Sequence, residues 1–306
     1  MKSRKTFPLI FQTQPLHNNM EIQSLSIAVP LHACINACPF CVSRMHGMDY
    51  ENKIGTYYPI HIRDYKNRML FARKNGCNTA ILTGTGEALQ NLEFVKRFGQ
   101  WNQELGNDRF LWLELQSTGV LLEQNLDVLR EDVQVTTVAL SISDIFDSEN
   151  NASVVRMPQK YKVDLDDLCA KILAKGFNLR ISLNLYGLYD GIAPEQVFNR
   201  MKQLGAHQVI VRKLYESGED KGVDQWVRDH AAKPETIARY RDFILSEGAP
   251  LERLPFGSVR YSVRGMSTVI DENCMPHELT NSFRYLILRP DTRVYSRWDD
   301  KGSIVF

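Results

Sequence analysis

Long apolar runs are missing from this sequence. No stretch approaches the roughly 18 consecutive apolar residues that a membrane-spanning helix needs, so no membrane partner is expected. An excess of charge is missing too. The 37 Lys and Arg residues stand against 36 Asp and Glu, a formal net charge of +1, which gives no strong signal for nucleic acid or an anionic surface. There is no internal repeat, no low-complexity tract and no Gly/Ser-rich linker. The nearest break is Ser217 to Gly222, polar and carrying Gly218 and Gly222. Met1 to Phe11 has basic residues but no following apolar run or small-residue cleavage site, so the cytoplasm is the expected location. Cysteine is scarce and unevenly placed. Of six, Cys77, Cys169 and Cys274 lie far apart, while Cys34, Cys38 and Cys41 crowd into one stretch. A disulfide framework would spread its cysteines through a small secreted chain. This pattern reads instead as one three-thiol site in a reducing compartment.

What is present is alternation. Leu25 to Val29, Thr79 to Leu82, Phe110 to Leu115, Val133 to Ile142, Leu179 to Leu185 and Gln208 to Leu214 are short β-like runs. Between and after them, helical spacing recurs at residues 60–75, at Leu92, Val95 and Phe98, and over Leu121 to Leu129, Leu165 to Ala174, Pro194 to Leu204 and Glu235 to Leu245. Parallel strands need crossover helices, so six strand–helix units predict an α/β fold, a partial (βα)6 TIM-like barrel. Its site would lie at the C-terminal ends of the strands. After residue 250 the rhythm changes to short β-like runs, Val259 to Val263, Thr268 to Ile270, Arg284 to Leu288 and Val294 to Trp298. They predict a C-terminal antiparallel β extension covering one end of the barrel. The expected division is an N-terminal extension at 1–24, the barrel at 25–250 and the β extension at 251–306.

The first predicted strand runs into Cys34-Ile35-Asn36-Ala37-Cys38-Pro39-Phe40-Cys41. Three thiolates on one loop can hold three irons of a [4Fe-4S] cluster and leave the fourth open to a ligand. An open metal position is the usual mark of a catalytic site. A zinc site with His32 or His46 as fourth ligand is the alternative, although the paired C-x2-C knuckles of zinc modules are missing.

This spacing, C-x3-C-x2-C with the aromatic Phe40 before the last cysteine, resembles the signature of the radical S-adenosylmethionine superfamily. The resemblance covers roughly residues 25–215. It implies that the methionine amine and carboxylate chelate the open iron, that Phe40 packs near the adenine, and that reductive cleavage yields a 5′-deoxyadenosyl radical. A low-potential electron donor of the flavodoxin or ferredoxin type is implied with it. Later strand ends are similar to the family's cofactor contacts. Thr83-Gly84-Thr85-Gly86-Glu87 resembles its Gly-Gly-Glu motif, with Gly84, Gly86 and Glu87 facing the amine. It departs from that motif at Thr85, and at Ala88 where Pro is common. Ser117, in Gln116-Ser117-Thr118-Gly119, matches a Thr of the family. Ser141 and Ser143 are expected near the ribose, Asn184 as a further cofactor contact at the C-terminal end of the fifth strand, and Arg212 on the methionine carboxylate or a substrate anion. Each of these polar residues also has an ordinary use, as a helix cap, a turn former or an ion-pair partner.

The substrate is less legible. Cys274, in Asp271-Glu272-Asn273-Cys274-Met275, is a candidate hydrogen-atom donor, as in radical epimerases. The alternative is an inert buried thiol, which is also the expectation for Cys77 and Cys169. Arg289, Arg293 and Arg297, with Tyr295 and Trp298, form a basic–aromatic hairpin able to take an anion or a base, or simply to pair within itself. A small molecule or nucleotide is the expected substrate class. A peptide-modifying enzyme is the runner-up, and a non-catalytic iron–sulfur redox protein and a zinc-binding interaction module are the readings from other classes.

Overall fold

The computed structural model of the chain describes residues 21–45, 60–218, 221–254, 257–271 and 282–306. Two short strands come first, β1 (Glu21–Ile22) and β2 (Ser24–Ala28), then the cysteine loop and a single helical turn, α1 (Val42–Met45). Alternating units follow: α2 (Ile62–Lys74), β3 (Thr79–Thr83), α3 (Leu92–Glu104), β4 (Trp112–Ser117), α4 (Leu126–Glu131), β5 (Thr137–Ile142), α5 (Ser148–Val154), α6 (Leu165–Ala174), β6 (Asn178–Leu185), α7 (Pro194–Gln203) and β7 (Gln208–Lys213). Helices α8 (Lys221–His230) and α9 (Pro234–Glu247) precede the last strands, β8 (Ala249–Arg253), β9 (Val259–Val263), β10 (Met266–Asp271), β11 (Ser282–Phe283), β12 (Leu286–Leu288) and β13 (Val294–Tyr295).

Local chemistry sets the helix starts. Asn91 and Asp164 cap α3 and α6, accepting from Phe94 N at 3.1 Å and Asp167 N at 2.9 Å. Pro194 and Pro234 occupy the first turns of α7 and α9, where no amide is needed. Helix α2 buries Tyr65, Met69 and Ala72, one stripe at helical spacing.

Strands β2 to β7 pair side by side in chain order, all parallel, as the alternation predicted. One set of alternating side chains, such as Leu25, Ile27, Leu113, Leu115, Ile181 and Val211, is essentially fully buried beneath the helices. The other set faces the barrel interior and is largely polar, with Ile81, Ala139 and Ile210 among it. There Arg180 of β6 forms an ion pair with Glu114, two strands away on β4, and donates through Nε to Gln208 Oε1 at 2.7 Å. Gln116 Nε2 donates to Glu114 Oε1 at 3.3 Å, and Thr83 Oγ1 to Gln116 Oε1 at 3.0 Å, so a polar belt crosses the interior from β3 to β7.

The C-terminal region is β-rich, and β8–β9–β10 and β12–β13 are antiparallel pairs. Its junctions with the barrel were not foreseen. Where a cover over one end was expected, β10 pairs parallel with β7 and β12 parallel with β2, so the region lengthens both edges of the arc. The reason lies in Leu286–Leu288, all buried, a continuous apolar run typical of a strand covered on both faces rather than of a surface hairpin. Strand β8 spans residue 250, and the sheet continues through the expected boundary. All five β8 residues are exposed and Pro250 lies among them, as befits an outer edge. Asp271, ending β10, pairs at 2.9 Å with Arg284, just ahead of β12. That contact joins the two extremities of the parallel arc, which therefore curls nearly closed.

Candidate active site

The cysteine loop leaves the C-terminal end of β2. Val29 N donates to Thr83 O at 2.8 Å, which carries the β2–β3 pairing up to it. The short 3-10 turn Ala88–Asn91 then grips the loop. Ile35 N donates to Gln90 Oε1 at 2.7 Å, Gln90 Nε2 to Ala33 O at 3.0 Å, and Asn91 Nδ2 to Pro30 O at 2.8 Å. Cys34, Cys38 and Cys41 are free thiols, the first exposed and the others half-buried. Burial raises the Cys34 thiol, and the backbone amides of Asn36 and Glu87, donating to its sulfur, oppose that rise. Cys38 is pushed up to about 12 by burial and by the sulfurs of Cys41 and Cys34 beside it. Three thiols gathered on one loop make a natural cation site, because a bound metal deprotonates its thiol ligands outright. Among the described residues no three His, Cys, Asp or Glu side chains are arranged to hold a single metal ion. In a four-iron cluster each thiolate binds its own iron, a different arrangement. His46 lies outside the described residues.

The glycine turn packs directly under this loop. A Cβ on Gly86 would lie 3.0 Å from Leu31 Cδ1 and 3.1 Å from Cys34 Cβ. A Cβ on Gly84, whose φ is +153°, would lie 3.1 Å from the Val29 carbonyl oxygen. These glycines bring the turn against the loop's backbone, and in doing so they set Glu87 beside Cys34.

Glu87 is buried, and burial raises its carboxyl against the lowering contact of the Thr118 amide. Its Oε2 accepts from Thr118 N at 3.0 Å and Thr118 Oγ1 at 3.1 Å, while Oε1 is buried without a hydrogen-bond partner. Thr118 Oγ1 accepts from Asn36 Nδ2 at 2.7 Å, and the other end of that amide, Asn36 Oδ1, is likewise buried and open. Ser117 lies beside the same carboxyl, where its side chain also helps to lower it, and accepts from Gly119 N at 2.9 Å, shaping the turn after β4.

The far side of the rim is closed on itself. Asn151 Oδ1 accepts from Ser143 N at 2.8 Å and Asp144 N at 3.2 Å. Tyr189 donates to the Ser143 carbonyl at 2.8 Å, and Asn184 Nδ2 approaches Ser143 Oγ at 3.4 Å. Asp144 accepts from Phe146 N at 2.8 Å and Asn150 Nδ2 at 2.7 Å. Ser143 is thus fully buried within the wall, whereas Ser141 is half-buried. Arg212 lies in register between Asn184 and Asp271; its Nε is 3.9 Å from Asp271 Oδ2, buried and without a hydrogen bond.

Phe40 contacts Trp226 of α8 at 5.6 Å between ring centroids, and Trp226 stacks on His230 at 4.2 Å. The C-terminal hairpin is occupied with itself. Arg289 is fully buried, donates to the Arg297 and Trp298 carbonyls at 3.1 and 2.9 Å, and lies over the Tyr295 ring; Arg297 pairs with Asp299. Cys77 and Cys169 are buried, each thiol pushed up to about 12 by desolvation. Cys274 lies outside the described residues.

The structure therefore brings together the cysteine loop, Gly84, Gly86 and Glu87, and separately Ser143 with Asn184 and Arg212 with Asp271. Sequence reasoning missed Asn36, Thr118 and helix α8. Asn36 is the one polar residue between the first two cysteines, and Thr118 directly follows Ser117 in the turn after β4. Val223, Trp226 and Val227 give α8 its helical spacing, which the break at Ser217 to Gly222 obscured.

No protein-family model matches the sequence, and no curated protein matches it. Solved structures do. SuiB of Streptococcus suis, bound to the precursor peptide SuiA, aligns at a TM-score of 0.55 and 14% identity over 92% of this chain and 61% of SuiB. The chain thus spans about three fifths of SuiB. anSMEcpe with bound AdoMet aligns at 0.56 and 15% identity, over 91% of this chain and 75% of that one. Coproporphyrinogen III oxidase (HemN) of Escherichia coli, described as a radical SAM enzyme, aligns at 0.50 and 16% identity over 76% of this chain and 54% of its own. At such identities the likeness is one of fold: this chain has the partial-barrel fold of the radical S-adenosylmethionine enzymes.

Proposed function

We propose that this chain, built on the radical S-adenosylmethionine fold, is itself such an enzyme, with Cys34, Cys38 and Cys41 holding a [4Fe-4S] cluster whose open iron takes S-adenosylmethionine. The observation that carries this reading is the buried, open Glu87 Oε1 beside a three-thiol loop. A mere redox carrier or a zinc module has no use for an unpartnered acceptor there, since such an atom costs about 1–3 kcal/mol. Held by these three thiolates, the cluster would supply the electron for reductive cleavage of S-adenosylmethionine and so the means of hydrogen abstraction, chemistry that belongs to the bound groups rather than to the protein.

The chain's own residues bind and orient. The amides of Asn36 and Glu87 offset negative charge on the Cys34 sulfur. Gly84 and Gly86 keep the turn close, and Glu87 accepts from the methionine amine. Ser141 and Asn184 face the ribose with Ser143 in support, Ser117 holds the β4 turn, Arg212 meets a carboxylate, and Phe40, braced by Trp226, flanks the adenine. A flavodoxin- or ferredoxin-type protein in a reducing, cytoplasmic setting supplies the electron. The polar belt of the interior favours a polar small molecule or nucleotide as substrate. The second reading is a peptide, because SuiB and anSMEcpe were each solved with one; Cys274 as hydrogen donor belongs to that reading. No helix among the described residues is long and apolar enough to cross a membrane.

The test is anaerobic reconstitution with iron and sulfide, then dithionite and S-adenosylmethionine, followed by chromatography for 5′-deoxyadenosine. Its formation is the expected result. A fully loaded cluster that yields none would overturn the enzyme reading, and stoichiometric zinc without iron after anaerobic purification would favour the zinc module.

A further inference from the structure

The rim beside the cysteines holds two buried oxygens, Glu87 Oε1 and Asn36 Oδ1, with no hydrogen-bond partner. They are two ends of one chain. Thr118 Oγ1 has a single proton, and its 3.1 Å contact to Glu87 Oε2 uses it, since a carboxylate can only accept. The hydroxyl must therefore accept from Asn36 at 2.7 Å, which fixes that amide's nitrogen towards Thr118 and leaves its oxygen free. Both residues also direct their backbone amides at the Cys34 sulfur, so both open oxygens belong to residues that flank a cluster ligand. An amine that gives its lone pair to a metal keeps two N–H donors, and an amine beside this loop would meet two waiting acceptors.

We propose that Asn36 Oδ1 is a second acceptor for the amine of S-adenosylmethionine, paired with Glu87 Oε1, and that Thr118 is the positioning residue that holds the two acceptors in register. The proposal rests on the enzyme reading above and deepens it. Nothing in the cysteine spacing requires Asn36; the middle positions between the first two cysteines are otherwise Ile35 and Ala37. Thr118 touches no ligand in this scheme and acts only through its neighbours.

Calorimetric titration of the cluster-loaded protein tests it with two ligands, S-adenosylmethionine and 5′-deoxyadenosine, which lacks the amino-acid part. Asn36→Ala should weaken S-adenosylmethionine about tenfold, the loss of one hydrogen bond, and leave 5′-deoxyadenosine within about twofold. Thr118→Val, outside the cysteine loop and close in volume, should weaken S-adenosylmethionine about three- to tenfold, and Thr118→Ser should restore it. Variants are compared at equal iron content. Unchanged affinity for S-adenosylmethionine, or equal loss for both ligands, overturns the role of Asn36. Failure of Thr118→Ser to recover what Thr118→Val loses overturns the role of Thr118. A loaded wild type that binds neither ligand sinks the enzyme reading instead, so the two failures are told apart.

Discussion

On the arc of the rim formed by β2, β3 and β4, two buried acceptors, Asn36 Oδ1 and Glu87 Oε1, are left open. On the arc formed by β5 and β6, Ser143, Asp144, Asn151 and Tyr189 close on one another. Both arcs are polar, and both sit at the C-terminal ends of parallel strands. The difference between them separates a wall that is finished from one built to receive something. Polarity at a strand end does not by itself mark a contact to a ligand; an open buried acceptor at the rim points to one more strongly, because leaving it unpaired has a cost that a bound partner recovers.

The largest expected effect comes from the open arc. Cys38→Ala should abolish the cluster, read as loss of the broad visible absorption and of bound iron. Retained absorption would break the ligand assignment. Because the Cys38 thiol is pushed up to about 12, assembly must expel a tightly held proton, so iron uptake by the wild type should quicken as pH rises. On the closed arc, Asn151→Ala strips the acceptor from two buried amides and should cost about 2–3 kcal/mol in denaturant unfolding, with iron content unchanged. Iron loss there would blur the distinction between the arcs.

Gly86→Ala should cost about 1–3 kcal/mol through overpacking and lower iron loading, since the new methyl presses on Cys34 and Leu31. Gly187 is the control. An added Cβ there meets only the His230 carbonyl at 3.4 Å, so Gly187→Ala should stay within about 0.5 kcal/mol. The smallest effect concerns Glu87. Burial raises its carboxyl, so the folded apo-protein holds that proton more tightly than the unfolded chain does. This contribution is complete below the ordinary glutamate range and is lost as pH climbs through the raised value. Glu87→Gln should therefore flatten the fall of apo-protein stability as pH climbs above the ordinary glutamate range, followed by thermal unfolding. An unchanged slope would show that the carboxyl is not the group responsible.

The legible parts of this molecule are those whose cause is local. Cysteine spacing, the Gly84–Glu87 turn and the helical stripes are each fixed by neighbours within about a dozen residues, and the strand order β2 to β7 follows from them through the handedness of crossovers. What escaped depends on contacts remote in sequence. That Thr118 meets Glu87 as well as Ser117 is decided by the course of the chain as it leaves β4. Asn36 gains its meaning only from Thr118, 82 positions away. The partners of β10 and β12 are β7 and β2, which a hairpin-like local pattern cannot reveal.

Those two strands carry a consequence for how the molecule is made. Both flanks of the six-strand arc are sealed by residues beyond 265, so during synthesis β2 and β7 wait as bare, sticky borders until almost everything described has left the ribosome. Shortening the chain after α9 would strand both borders at once, and the expected product is aggregate rather than a smaller barrel. In the intact chain, the same arrangement makes the final segment a fastener that secures the barrel only when the rest is in place.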